Sequence, residues 1–229
     1  MKNNNKFRLD VWGAITLGTI VLYALFLLYP MAYLIRQSVL DPDTGSFTLA
    51  YFTKFFSKSY YFDTLINSFK VSITATVLSI AIGTPLAYLF TIFKIKGKSV
   101  LNILIVVASM SAPFIGAYSW ILLLGRSGII TTFFKNLGIA IPDIYGFGGI
   151  VLVMTLQLFP LVFLYAKGAL KNIDNSLIEA AENLGCSGIV CFFKVVVPLI
   201  MPTLLAAALL VFMRSFADFG TPMLIGEGY

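Results

Sequence analysis

Side chains able to do covalent, acid–base or metal chemistry are scarce in this sequence. It has no histidine and two cysteines, Cys186 and Cys191. Their C-x4-C spacing fits neither a zinc knuckle nor a redox C-x-x-C pair. They read as two small apolar side chains with the usual habit of burial. Without imidazole, no Ser/His/Asp triad, Cys/His pair or histidine-ligated zinc can be assembled. Carboxylates remain, and three of them, Asp174, Glu179 and Glu182, fall within nine residues of one another. Tyr118, Arg126, Asp218 and Glu227 stand alone near the ends of apolar runs, where a solvated or interfacial role is the ordinary reading.

Those few polar residues are carried by a chain that cannot be coated for water. Of its 229 residues 59% are hydrophobic and 11% charged, against roughly 25% charged in soluble domains. The surplus apolar surface calls for lipid as solvent. The net charge of +6 is spread in short clusters between apolar runs, which marks membrane sidedness rather than a nucleic-acid surface. Five uncharged runs are read as spans: Val11–Ile35, Val71–Phe93, Ser99–Leu124, Phe147–Ala166 and Val195–Met213. Each holds about 19–26 residues, and a helix needs roughly 20 to cross the hydrocarbon core. The first is too long and too uniformly apolar for a cleaved signal segment. The fold class is therefore an all-α polytopic bundle.

With the N-terminus in the cytoplasm, Lys2, Lys6, Arg8, Lys94, Lys96, Lys98, Lys167, Lys171 and Lys194 lie inside. Arg36, Lys54, Lys58, Lys70, Arg126, Lys135 and Arg214 then lie outside, the long outer segment being diluted by Asp41, Asp43 and Asp63. The compact Lys94–Lys98 turn favours this orientation. Pro85, Pro113, Pro160 and Pro202 fall inside spans, with Thr84, Ser109 and Ser111 placed to donate hydrogen bonds to the freed carbonyls. Gly83 with Ala87, and Ala206 to Ala208, allow close helix approach. The stretch Asp41-Pro42-Asp43-Thr44-Gly45 reads as a turn. The aromatics from Tyr51 to Phe62 suggest a helix in the headgroup zone.

The connection 167–198 differs from the others. Asp174 suits an N-cap, Leu177, Ile178, Ala181 and Leu184 recur at helical spacing, and Gly185 suits a C-terminal turn. The result is a short amphipathic helix, with Pro198 marking entry to the last span. Its acidity, from Asp174, Glu179 and Glu182, disfavours an anionic lipid surface, so its exposed side is better matched to a protein. The spacing Glu179-Ala180-Ala181, three residues, Gly185, nine residues, Val195-x-Val197-Pro198 resembles the EAA loop of permeases in binding-protein-dependent ABC importers. Val195 and Val197 replace the family's isoleucine and leucine.

The resemblance implies a coupling helix seated in a cleft of a nucleotide-binding subunit. Glu179, Ala180, Ala181, Asn183, Leu184, Gly185 and Pro198 would be the coupling residues, with Gly185 making the bend. The sequence has no G-x-x-x-x-G-K-[ST]. ATP and magnesium are accordingly expected on a separate P-loop ATPase homodimer, with no cofactor on this chain and no enzymatic role for it. A periplasmic or lipid-anchored solute-binding protein, a second permease half and membrane lipid are the other implied partners. Ser111–Gly125 and Ala217–Pro222 resemble ferric-iron importer permeases, whose chains hold two homologous halves. By that likeness residues 1–229 form one transmembrane domain, the N-terminal half of a longer chain in the bacterial inner membrane, with iron(III) as cargo. Polyamine, thiamine and phosphonate importers have related permeases. A channel or scaffold, and an intramembrane enzyme, are the alternatives of other classes; charge-free spans count against the enzyme.

Overall fold

The computed structural model describes residues 11–41, 44–93, 96–110, 112–139 and 142–226. The sequence readings on Lys2, Lys6, Arg8, Pro42, Asp43, Lys94, Ser111 and Glu227 fall outside them. The chain divides into two compact units, Met1–Leu65 and Ile66–Tyr229.

In the first unit, α1 runs Val11–Val39, and none of its residues is buried. A helix apolar all round is suited to lipid. At Ala24–Leu28 it widens, the Tyr29 N–H reaching back five residues to the Ala24 carbonyl. Pro30 follows at once, so the wide turn carries the carbonyl four residues back clear of the proline ring. At the described ends of the expected turn the Gly45 N–H bonds the Asp41 carbonyl at 2.9 Å, with Gly45 at φ +65° and Leu40 bridged to Phe47. Helix α2, Ala50–Ser57, carries Tyr51, Phe52, Phe55 and Phe56, while Tyr60, Tyr61 and Phe62 of the expected aromatic group open the next helix; Phe55 stacks on Tyr61 at 5.5 Å.

The second unit is a helix bundle. The long α3, Ser59–Ile92, begins twelve residues before the expected start at Val71 and enters this unit from Ile66 on. Its face Val71, Ser72, Ala75, Thr76, Ser79, Gly83, Thr84, Ala87 and Phe90 is buried. The small residues let α3 lie directly on α7, Phe147–Lys171. A Cβ on Gly83 would stand 2.9 Å from the Phe159 carbonyl oxygen and 3.1 Å from the Phe163 nitrogen. The Thr84 hydroxyl is buried without a partner, so it does not serve the carbonyl freed by Pro85 as its position suggested. The Ser109 hydroxyl does bond a backbone carbonyl, that of Val106, at 2.6 Å.

The third crossing corrects the sequence reading. The uncharged run Ser99–Leu124 is two helices, α4 at Lys98–Ser109 and α5 at Pro113–Leu124. They part because the residue before a proline is driven out of the helical region, and Ala112 is extended at φ −68°, ψ 141°. Asn102 of α4 meets Lys167 near the end of α7. Ala117 and Trp120 of α5 pack with Ile150, Val153 and Met154 near its start. The two pieces thus follow opposite ends of one antiparallel neighbour. Length and hydropathy alone also admit Phe114–Asn136 as a span. The chain turns at Gly125–Gly128, however, where the Gly128 N–H bonds the Gly125 carbonyl at 2.8 Å, and α6 is a separate helix, Ile129–Asn136.

After α7 come the short α8, Asn175–Asn183, and α9, Gly188–Phe216. Helix α9 begins seven residues before the expected Val195, so Pro198 lies inside a continuous helix rather than at its entrance. The same device as in α1 makes this tolerable: residues Phe192–Val196 form a wide turn, with the Val197 N–H bonded to the Phe192 carbonyl. Helix α10, Gly220–Ile225, folds back onto α5 and α7, where the Gly146 N–H bonds the Ile225 carbonyl at 2.8 Å.

Candidate functional site

Helix α8 has a capped start and a defined stop. The Ser176 N–H donates to Asp174 Oδ1 at 2.9 Å, and the Leu177 N–H to the Asp174 carbonyl at 3.1 Å. The Ser176 amide, followed by its hydroxyl, holds the Asp174 carboxyl below its ordinary range, outweighing a small opposing effect of burial. At the other end Gly185 is left-handed at φ +84°. The Cys186 N–H returns to the Ala181 carbonyl at 3.1 Å, the six-to-one bond that closes a helix on a left-handed residue. Both sequence readings, the Asp174 cap and the Gly185 turn, have this structure beneath them. Cys186 is half-buried and Cys191 buried, and they are not disulfide-bonded.

The helix has an anchored side and an open one. Ile178, with Ile173 before it, packs on the core formed by Ala87, Phe90, Val162, Phe163, Ala166, Leu170, Phe192, Val196 and Ile200. Ile178 and Glu179 also line a cleft of about 330 Å³ with Tyr88, Thr91, Ile92 and Leu170. The arm leading into α9 is keyed to the same core: Tyr88 and Phe192 meet at 4.6 Å between ring centres, and Phe90 meets Phe163 edge-on at 5.2 Å. On the open side Leu177, Ala180 and Leu184 are exposed, and Ala181 is half-buried beside them. These positions are three and four residues apart, so they form one stripe. Glu179, Asn183 and Gly185 are exposed, as is Pro198 in α9. Leu184 is 90% exposed, Ile189 77% and Phe193 64%. Leu184 lies outside the candidate spans, where so open an apolar side chain suits a contact surface, whereas Ile189 and Phe193 belong to the candidate span Gly188–Phe216, where lipid can cover them.

The other sequence candidates have local roles. Arg126 pairs with Asp143 at 3.2 Å and lies 4.9 Å over the Tyr145 ring. Asp218 accepts the Gly220 N–H at 2.8 Å and the Thr221 hydroxyl at 2.6 Å, which caps α10. Tyr118 is exposed. Among the described residues no group of three His, Cys, Asp or Glu converges to hold a metal ion. The pairing of Lys167 with Asn102 and the seating of Ile178 gave no sequence signal, because each joins residues far apart in the chain.

Residues 47–229 match the family described as binding-protein-dependent transport system inner membrane component. The chain belongs to this family. It is thus a multi-pass membrane component of a transport system, a permease and not a catalytic subunit. This permease is 29% identical over 92% of its length to the putative ferric transport system permease protein FbpB 1 of Haemophilus influenzae. It is 28% identical over its whole length to the ferric transport system permease protein FbpB of Actinobacillus pleuropneumoniae. It spans 33% of each of those proteins. The spermidine/putrescine transport system permease protein PotB of Haemophilus influenzae is 29% identical over 97% of this permease and 79% of its own chain. In fold, the permease is similar to a chain of a bacterial ABC transporter involved in the import of the polysaccharide alginate, with a TM-score of 0.70 at 18% identity, covering 95% of this permease and 78% of that chain. The same transporter has been seen in complex with its alginate pentasaccharide-bound periplasmic protein.

Proposed function

We propose that this permease is the force-receiving membrane part of an ATP-driven importer, and that segment 167–198 is the cytoplasmic loop through which a separate ATPase dimer moves it. The observation that carries the reading is the two-sidedness of α8. Its inner side is built into the core shared by α3, α7 and α9, while Leu177, Ala180 and Leu184 stand open. A push on the open side is delivered to the bundle because close-packed cores transmit displacement. Glu179 is an exposed charge beside the stripe and pairs with a basic residue of the ATPase. Ala180 and Ala181 let that subunit approach the helix backbone, and Asn183, Leu184 and Gly185 complete the contact and the bend. Pro198 acts indirectly, holding the wide turn that aims the Gly188–Cys191 arm. ATP and magnesium belong to the partner, and the N-terminus of the permease is cytoplasmic.

A solute-binding protein delivers cargo from the outer side of the inner membrane, and a second permease half completes the path. Iron(III) is the cargo supported by similarity to the ferric permeases along nearly the whole chain. A polyamine is the second reading, favoured by equal identity to a protein of which this permease covers four fifths. Two measurements test the proposal. The permease with its partner subunits is reconstituted in vesicles, and ATP hydrolysis is followed as cargo-loaded binding protein is added. Leu184→Asp is expected to abolish the stimulation while leaving the permease monodisperse and folded; unchanged stimulation refutes the loop assignment. Uptake of radiolabelled iron(III) against spermidine then decides the cargo, and spermidine uptake without iron uptake overturns the first reading.

A further inference from the structure

Three lysines gather at one edge of the bundle, and among the described residues none of them is in an ion pair. Lys167 of α7 hydrogen-bonds Asn102 of α4 and lies 5.4 Å from the Phe163 ring centre. That contact fixes the register of two antiparallel helices. One turn along α4 from Asn102 is Lys98, and one turn along α7 from Lys167 is Lys171. Because α4 starts where α7 ends, both turns run towards the same membrane boundary, and residues four apart share a helix face. Lys98 and Lys171 therefore stand at the same level beyond the Lys167–Asn102 contact, and both add their charge to the surroundings of Lys167. Among the described residues the ion pair is Arg126–Asp143, far from this edge in the fold. Lys98 and Lys167 are half-buried, so their repulsion is not fully relieved by water. Beside this stripe Leu101 and Leu104 of α4 are exposed and run on into the span.

We infer that Lys98, Lys167 and Lys171 form a site for the phosphate of an anionic phospholipid, with Leu101 and Leu104 lying along its acyl chains. Basic pockets between membrane helices recognise such headgroups. A lipid phosphate supplies the missing negative charge at the depth where the lysines end, and its tails cover apolar surface that a free phosphate leaves bare. The site ties α4, half of the broken third crossing, to α7, which leads into α8. It rests on the importer reading only for the leaflet, which is the inner one.

The test uses the full chain in nanodiscs of phosphatidylcholine with a minor share of phosphatidylglycerol. Lipids retained after transfer to detergent are counted by native mass spectrometry. The unaltered chain is expected to retain phosphatidylglycerol in preference. Lys98→Gln with Lys171→Gln is expected to weaken that retention roughly tenfold or more, at about a factor of several per lysine. Lys98→Arg with Lys171→Arg keeps it, and so does Lys135→Gln on α6. If the double glutamine variant misfolds, Lys171→Gln alone is read instead, with a several-fold loss expected. Equal retention by a folded glutamine variant overturns the inference, as does equal loss in Lys135→Gln. Release of the lipid by inorganic phosphate assigns the site to a free anion and also overturns it. Failure of the ATPase to bind, with lipid retention intact, sinks the importer reading and leaves this one standing.

Discussion

Substitution of Gly185 separates the backbone bend from every side-chain contact at the candidate site. Its φ of +84° lies in the left-handed region, and a Cβ added there meets nothing within 4 Å. Within the permease a new Cβ therefore acts through backbone strain. That strain is about 1–2 kcal/mol for an ordinary L-residue, less for asparagine and more for a β-branched residue. One to two kcal/mol is roughly a five- to thirtyfold change in a local equilibrium. The bond most exposed to it is the one from the Cys186 N–H to the Ala181 carbonyl. Hydrogen exchange at Cys186 is expected to speed up in the order Gly185, Gly185→Asn, Gly185→Ala, Gly185→Val, with alanine inside that range. Coupled ATP hydrolysis in the reconstituted importer is expected to fall in the same order. Wild-type exchange in Gly185→Val would refute the claim that a left-handed residue ends α8. Faster exchange with unaltered coupling would confine the bend to a structural role.

Three further perturbations probe the frame around the loop. Gly83→Ala places a Cβ 2.8 Å from that of Val162 and 2.9 Å from the Phe159 carbonyl oxygen, so α3 and α7 must separate; a loss of about 1–3 kcal/mol is expected as a lower thermal midpoint, whereas Gly168→Ala, with open space around it, lowers nothing. Asp218→Ala leaves the buried Thr221 hydroxyl and two amides of α10 without their acceptor; about 1–3 kcal/mol is expected, read as faster exchange across Gly220–Ile225, with partial rescue by Asp218→Asn. The lowered carboxyl of Asp174 makes its cap fully present above the ordinary aspartate value of about 3.9 and lost as pH falls through the lower folded value. The protection factor of the Ser176 amide is expected to follow that course, and Asp174→Asn to abolish the pH dependence.

The sequence carried the spans because a charge inside a hydrocarbon core is costly, and long uncharged runs are therefore legible without knowledge of packing. It carried the ends of α8 because Asp174 and Gly185 act on backbone groups within four residues of themselves. It misled where one proline has two outcomes. At Pro113 the preceding residue leaves the helical region and the third crossing breaks. At Pro198 the helix instead widens at Phe192–Val196 and continues, moving the start of α9 back to Gly188. Pro30 resolves in the second way, after Ala24–Leu28. At Pro198 the wide turn is held in the core by Phe192 and Val196, while the wide turn before Pro30 forms in a helix with no buried residue. Likewise, Ile178 faces the bundle because it packs on a core that includes Ala87 and Phe90 of α3, which lie far from α8 in sequence.

Crosslinking from the open face of α8 bears most directly on the force-transfer claim. Cysteine placed at Ala180 or Leu184, in membranes holding the complete transporter, is expected to capture the ATPase subunit and to change its yield when a non-hydrolysable ATP analogue is added. Cysteine at Ile178, on the seated side, should capture none. Reaction of the Ala180 cysteine with impermeant reagent from the outer side only, or an accessible thiol that never captures the ATPase, would contradict the assignment of α8 as the coupling helix.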